Sequence, residues 1–237
     1  MARLSVNINK IATLRNARGG NIPDVVLAAK RIESFGAQGI TVHPRPDERH
    51  IRYDDVLQLK EVITTELNVE GNPVKSFMDL VTTVKPHQVT LVPDTVDQLT
   101  SDSGWDTVKH HEFLREVIGE LKRYGIRSSI FVDPFPEQIE NALKTGTDRI
   151  ELYTESYASN YDENAEKAIA RYKESADVAA RSGLGINAGH DLSLNNIEYF
   201  AENIPQLDEV SIGHALIAES LYEGLSKVIS QYLNKLK

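Results

Sequence analysis

Strand-like and helix-like patterns alternate along the whole chain, and no other feature constrains its fold as tightly. Short apolar or alternating stretches that read as strands cover residues 4–9, 39–43, 67–71, 88–92, 126–132, 149–153, 184–188 and 209–212. Helical patterns follow at 24–36, 54–66, 74–84, 107–124, 136–144, 160–182, 194–203 and 216–235. The first is opened by Asp24 as a cap and stopped by Gly36, and in the fourth Leu114, Val117, Ile118 and Leu121 share one face. Strands that alternate with helices call for a parallel sheet with crossover helices. Eight such units in 237 residues match the usual length of a (β/α)₈ barrel, a TIM barrel, and residues 1–237 read as one domain without a linker. The alternative is a doubly wound open sheet. When it binds a dinucleotide, that fold commonly carries a Gly-rich G-x-G-x-x-G turn after its first strand, where this chain reads NINKIATLRNARGG.

Strands buried on both faces of a parallel sheet ought to be almost uniformly apolar. Several of these are not. Leu4, Val6 and Ile8 alternate with Ser5, Asn7 and Asn9, and Ile40 and Val42 with Thr41 and His43. Leu67 and Val69 alternate with Asn68 and Glu70, Ile150 and Leu152 with Glu151 and Tyr153, and Asn187 lies in the seventh strand. The apolar set is expected to face the helices and the polar set the barrel interior. Unpaired buried carboxylates and amides are costly, so an inward polar set must be mutually bonded or bind something.

Barrel enzymes place their active site at the C-terminal strand ends. Of seven histidines, four fall there: His43, His50, His190 and His214. The second strand ends in the stretch GITVHPRPDERH, where Pro44 and Pro46 break the strand and Arg45, Arg49 and His50 follow His43. A strand-mounted histidine beside a cationic loop suits proton transfer on an anionic substrate, whereas a lone one reads more simply as a satisfied core residue. Glu70 and Glu151, inward on separate strands, are expected to have raised pKa values suited to proton transfer near neutrality. After the last two strands come Asn187-Ala188-Gly189-His190-Asp191 and Ser211-Ile212-Gly213-His214, in the part of a barrel that commonly binds phosphate. Arg15 and Arg18 lie in the loop expected after the first strand, either as solvated charges or closing over a second anionic group.

Two other chemistries compete. Histidines and carboxylates at a barrel mouth can hold zinc, but the first strand offers Asn7-Ile8-Asn9 rather than a His-x-His pair. Lys10, if desolvated, could form a Schiff base. Bulk composition narrows the rest. A net charge of -9 is wrong for a general nucleic-acid binder, and no run of apolar residues is long enough for a membrane span. The start, MARLSVNINK, lacks the layout of a secretory signal, and the absence of cysteine fits a reducing compartment, so a cytoplasmic location is expected.

Six stretches in order, VNINKIATLRNARGG, GITVHPRPDERHI, NVEGNP, IELYTESYA, GINAGHDLS and VSIGHALI, resemble the pyridoxine 5'-phosphate synthase family over essentially the whole chain. The resemblance implies a (β/α)₈ barrel that condenses 1-deoxy-D-xylulose 5-phosphate with 3-amino-2-oxopropyl phosphate, without metal or organic cofactor, as a homo-octamer. It implies that His43 and Glu70 accept protons, His190 donates one, and Glu151 stabilises charge in the transition state. Asn7, Arg18, Arg45, His50, Thr100, Asp191, Gly213 and His214 match substrate-binding positions, and Asn9 and Lys10 join them as candidates. The family carries Asp-His where this chain has Asn9-Lys10, which is expected to rearrange contacts to one substrate. It carries Met-Ala where this chain has Gly71-Asn72, which is expected to loosen the backbone beside Glu70. A sugar-phosphate aldolase or isomerase, and a phosphate-binding protein without activity, are the competing functions.

Overall fold

In the computed structural model, residues 1–94 and 101–237 are described. Eight strands close into a barrel in sequence order: β1 (Arg3–Asn7), β2 (Gly39–Val42), β3 (Glu66–Gly71), β4 (Gln88–Leu91), β5 (Arg127–Val132), β6 (Arg149–Tyr153), β7 (Gly185–Gly189) and β8 (Leu207–Ile212). Each pairs in parallel with the next, and β8 returns to β1 through Leu4↔Val210 and Val6↔Ile212. The alternation expected from sequence holds. Leu4, Val6, Ile40, Val42, Ile150 and Leu152 are fully buried in the apolar core.

The alternate positions build a hydrogen-bonded lumen. Ser5 and Thr41 hydroxyls meet at 2.7 Å, Asn68 Nδ2 donates to Thr41, and Thr90 donates to Asn68 Oδ1 at 3.1 Å. One layer is charged, a feature that strand periodicity alone does not show. At the N-terminal ends of the strands Glu66 pairs with Arg3 at 2.8 Å and with Arg127, while Arg149 Nη1 donates to Asn187 Oδ1 at 2.9 Å. Glu209 lies 3.3 Å from Arg3. Each buried charge there has an opposite charge or amide beside it, the condition under which such groups are tolerated inside.

The expected helices form as α2 (Val25–Ser34), α3 (Tyr53–Val62), α4 (Lys75–Val84), α5 (His111–Arg123), α6 (Pro136–Lys144), α8 (Ala165–Arg181) and α9 (Ile197–Asn203), with ends shifted by a few residues. The structure corrects three segments. The loop expected after β1 is a helix, α1 (Asn9–Asn16), whose inner face is Ile11, Ala12 and Arg15. An arginine on the buried face breaks the apolar stripe that would have announced it. A short helix, α7 (Glu155–Asn160), follows β6 and is too brief to show a period. The closing helix is two helices, α10 (His214–Glu223) and α11 (Leu225–Lys235), broken at Gly224, whose φ of 86° is left-handed.

Candidate active site

A cavity of about 450 Å³ opens at the C-terminal ends of the strands. The four candidate catalytic residues and all the candidate substrate-binding residues line it except Arg18, which stands exposed beyond α1, and Thr100, which lies outside the described residues; Arg15 and Arg49 do not line it. The tight turn from β1 into α1 sets one wall. Asn7 Oδ1 accepts from the Asn9 N–H at 3.0 Å, and Asn9 Oδ1 accepts from the His43 N–H at 2.9 Å, so Asn9 fixes the end of β2. Asn7 Nδ2 faces Glu70 Oε2 at 3.4 Å.

The loop after β2 is held from below. Arg15 is buried and forms a two-pronged pair with Asp55 (2.5 and 2.9 Å), while its Nη2 also donates to the His50 carbonyl at 3.0 Å. Asn16 Nδ2 donates to the same carbonyl at 2.8 Å. Arg15 is thus neither a surface charge nor a cavity residue. It anchors the loop that carries Arg45 and His50.

Asp94, just after β4, is a further residue of the site. Its buried carboxylate pairs with Arg45 and accepts from Ser101 Oγ at 2.8 Å. Its place at a strand C-terminus was the available signal; its partner, far away in sequence, was not visible. Its carbonyl accepts from Asn72 Nδ2 at 3.1 Å. Beside it the Phe77 ring packs so closely on Gly71 that a Cβ there would come within 2.2 Å of it. The backbone next to Glu70 is therefore tied down rather than loosened, because Phe77 and Asn72 occupy the room and the bonds around it.

Electrostatics follow from burial. Desolvation, then the charges of Arg45, His50 and Arg49, hold His43 well below its ordinary pKa. His50 is lowered to about 4, chiefly by burial and then by Arg45. Its Nδ1 accepts from the Ile51 N–H at 2.9 Å, which places the proton of the neutral ring on Nε2. Burial, then Glu151 and Asp94, raises Glu70 well above the usual carboxyl value, and burial with Glu209 lifts Glu151 to about 8. At neutral pH the site thus presents the unprotonated imidazole of His43 beside Glu151, which holds its proton, a pairing suited to moving protons in both directions. His190 Nδ1 lies 2.7 Å from Asp191 Oδ2, and that hydrogen bond lowers the Asp191 pKa. Lys10, exposed at the rim, and Gly213-His214, at the start of α10, complete the opening. Among the described residues no three His, Asp or Glu side chains gather as a metal site.

A family model described as "Pyridoxal phosphate biosynthesis protein PdxJ" matches residues 4–237. The chain belongs to the PdxJ family. A Christiangramia forsetii member named pyridoxine 5'-phosphate synthase is 66% identical over 237 residues, covering 100% of both chains. A Flavobacterium johnsoniae member of the same name is 63% identical over the same full lengths. The PdxJ barrel also resembles a chain of tryptophan synthase from M. tuberculosis, with a TM-score of 0.66 over 100% of this chain and 94% of that one. At 14% identity that likeness speaks to the fold alone.

Proposed function

We propose that the protein is a pyridoxine 5'-phosphate synthase that joins 1-deoxy-D-xylulose 5-phosphate to 3-amino-2-oxopropyl phosphate and releases inorganic phosphate and water. The observation that carries this reading is the convergence of unprotonated His43 with high-pKa Glu70 and Glu151 on one cavity rimmed by Lys10, Arg45 and the Gly213-His214 helix start. The name shared by the relatives supports it. Joining an amine to a ketone, then enolising, dehydrating and aromatising, requires repeated proton transfers and two phosphate contacts but no change in oxidation state.

In this reading His43 and Glu70 remove protons, and His190, oriented by Asp191, returns one to a leaving oxygen. Glu151 holds its proton at neutral pH, so it donates a hydrogen bond to negative charge as that charge develops. The α10 N-terminus offers N–H groups at Gly213 and His214 to one phosphate, the usual place for an anion on a helix. Arg45, held by Asp94, and neutral His50 contact the other substrate. Arg18 contacts substrate only if its loop folds inward.

Incubation of the purified protein with both substrates, followed by pyridoxine phosphate absorbance and phosphate release, tests this. Absence of product from folded, phosphate-binding protein defeats the proposal. Borohydride labelling of Lys10 with one ketose phosphate alone would transfer support to an aldolase. We further infer a cytoplasmic homo-octamer. Ile22, Leu221 and Tyr222 are 86%, 74% and 89% exposed, apolar surface of the kind that association covers. Light scattering after gel filtration measures the state. No helix among the described residues is long and apolar enough to cross a membrane.

A further inference from the structure

We propose that Thr154 is a positioning residue that holds His190 in its working orientation by gripping the two carbonyls that flank the His190 α-carbon, those of Gly189 and His190, where β7 runs into its turn. The inference rests on the reading of His190 as a proton donor.

Thr154 stands at the N-terminus of α7, where a threonine normally caps its own helix by accepting a backbone N–H two or three residues on. It makes no such bond. The Tyr157 N–H, which that hydroxyl would satisfy, donates to the Tyr172 phenol at 3.2 Å instead, and this phenol donates to the Tyr153 carbonyl at 2.9 Å. Tyr172 thus takes over the cap and leaves the Thr154 hydroxyl for another use. The hydroxyl is buried and donates across to β7, to the Gly189 carbonyl at 2.9 Å and to the His190 carbonyl. With one proton to give, it is shared between them. The Thr154 N–H reinforces the link by donating to the Gly189 carbonyl at 3.3 Å.

The turn so gripped is one that needs holding. His190 and Asp191 are consecutive residues with φ of 83° and 58°, in the left-handed region that side chains other than glycine seldom occupy. Such a conformation persists only when neighbours over-determine it. The Leu192 N–H donates to the same His190 carbonyl at 2.9 Å, and Asn196 Nδ2 approaches the Asp191 carbonyl at 3.4 Å. Against this fixed backbone the His190 ring meets Tyr153 edge-on at 5.2 Å and Asp191 at 2.7 Å. The turn also abuts Glu151, since a Cβ on Gly189 would come within 2.5 Å of Glu151 Oε1. Displacement of the turn therefore moves His190 relative to Glu151.

Thr154→Val keeps the volume and removes the hydroxyl, and Thr154→Ser keeps the hydroxyl. With both substrates present, Thr154→Val is expected to lower kcat roughly 10- to 100-fold, as a small misplacement of a reacting group does, with little change in KM. Thr154→Ser is expected to stay close to the native rate. In a His190→Gln background Thr154→Val should cause no further loss, because its effect runs through His190. Near-native kcat in Thr154→Val, or an equal fractional loss in the two backgrounds, overturns the proposal. Native kcat in His190→Gln overturns the reading beneath it. Thr154→Cys, with a weaker donor of similar size, replaces valine if that variant does not fold and must show the same kcat loss.

Discussion

Replacing Arg15 by methionine tests whether a buried ion pair beneath the β2 loop serves binding as well as stability. The guanidinium side chain is 1% exposed and its partner Asp55 10%. Removing one member of a buried pair typically costs about 3–5 kcal/mol, because the other charge is stranded. Asp55 would keep one bond, from the Arg52 N–H at 2.7 Å, which places the expected loss near the low end, at about 3 kcal/mol. Two further bonds disappear, to the His50 carbonyl and to Asn16 Oδ1. Urea denaturation at fixed protein concentration should show the midpoint falling at unchanged slope. Arg15→Met with Asp55→Leu should recover most of the loss, since no charge is left buried. KM should rise more than kcat falls, because the loop bearing Arg45 and His50 loses its anchor. A loss under about 1 kcal/mol would refute the stranded-charge reasoning, and an unchanged KM would refute the anchoring role.

Three other perturbations give separate checks. His43→Ala should fold normally and lower kcat by about 10²- to 10⁴-fold, the usual worth of a proton-transfer group; full activity would remove it from the mechanism. The Glu151 pKa is raised from 4.5 to about 8, so its contribution to stability is whole below pH 4.5 and is lost as the pH rises through 8. Glu151→Gln should therefore melt higher than the native protein at pH 8.5, with a smaller advantage at pH 5, and an equal difference at both would contradict the assignment. Gly71→Ala places a Cβ within 2.2 Å of the Phe77 ring and should cost about 1–3 kcal/mol, with partial recovery on adding Phe77→Leu; a neutral single variant in thermal unfolding would show that the ring moves freely.

The sequence by itself determined the barrel and most of the candidate site. A period of two in the strands and of 3.6 in the helices is a local property, and its alternation leaves few topologies. The same period placed Asn7, His43, Glu70 and Glu151 on the inner face, because a strand sends successive side chains to opposite sides. Tertiary structure decided what those side chains pair with. Arg15 is an anchor because Asp55 waits beneath it, and Arg45 meets Asp94 from another strand end. The charged layer of Arg3, Glu66 and Arg127 depends on register around the closed sheet. Asn9 sits in a helix and holds His43, and Thr154 leaves its own helix to grip His190. Each is a choice among several possible hydrogen-bond or charge partners, and only the folded chain brings the winning partner within reach while excluding water from the rest.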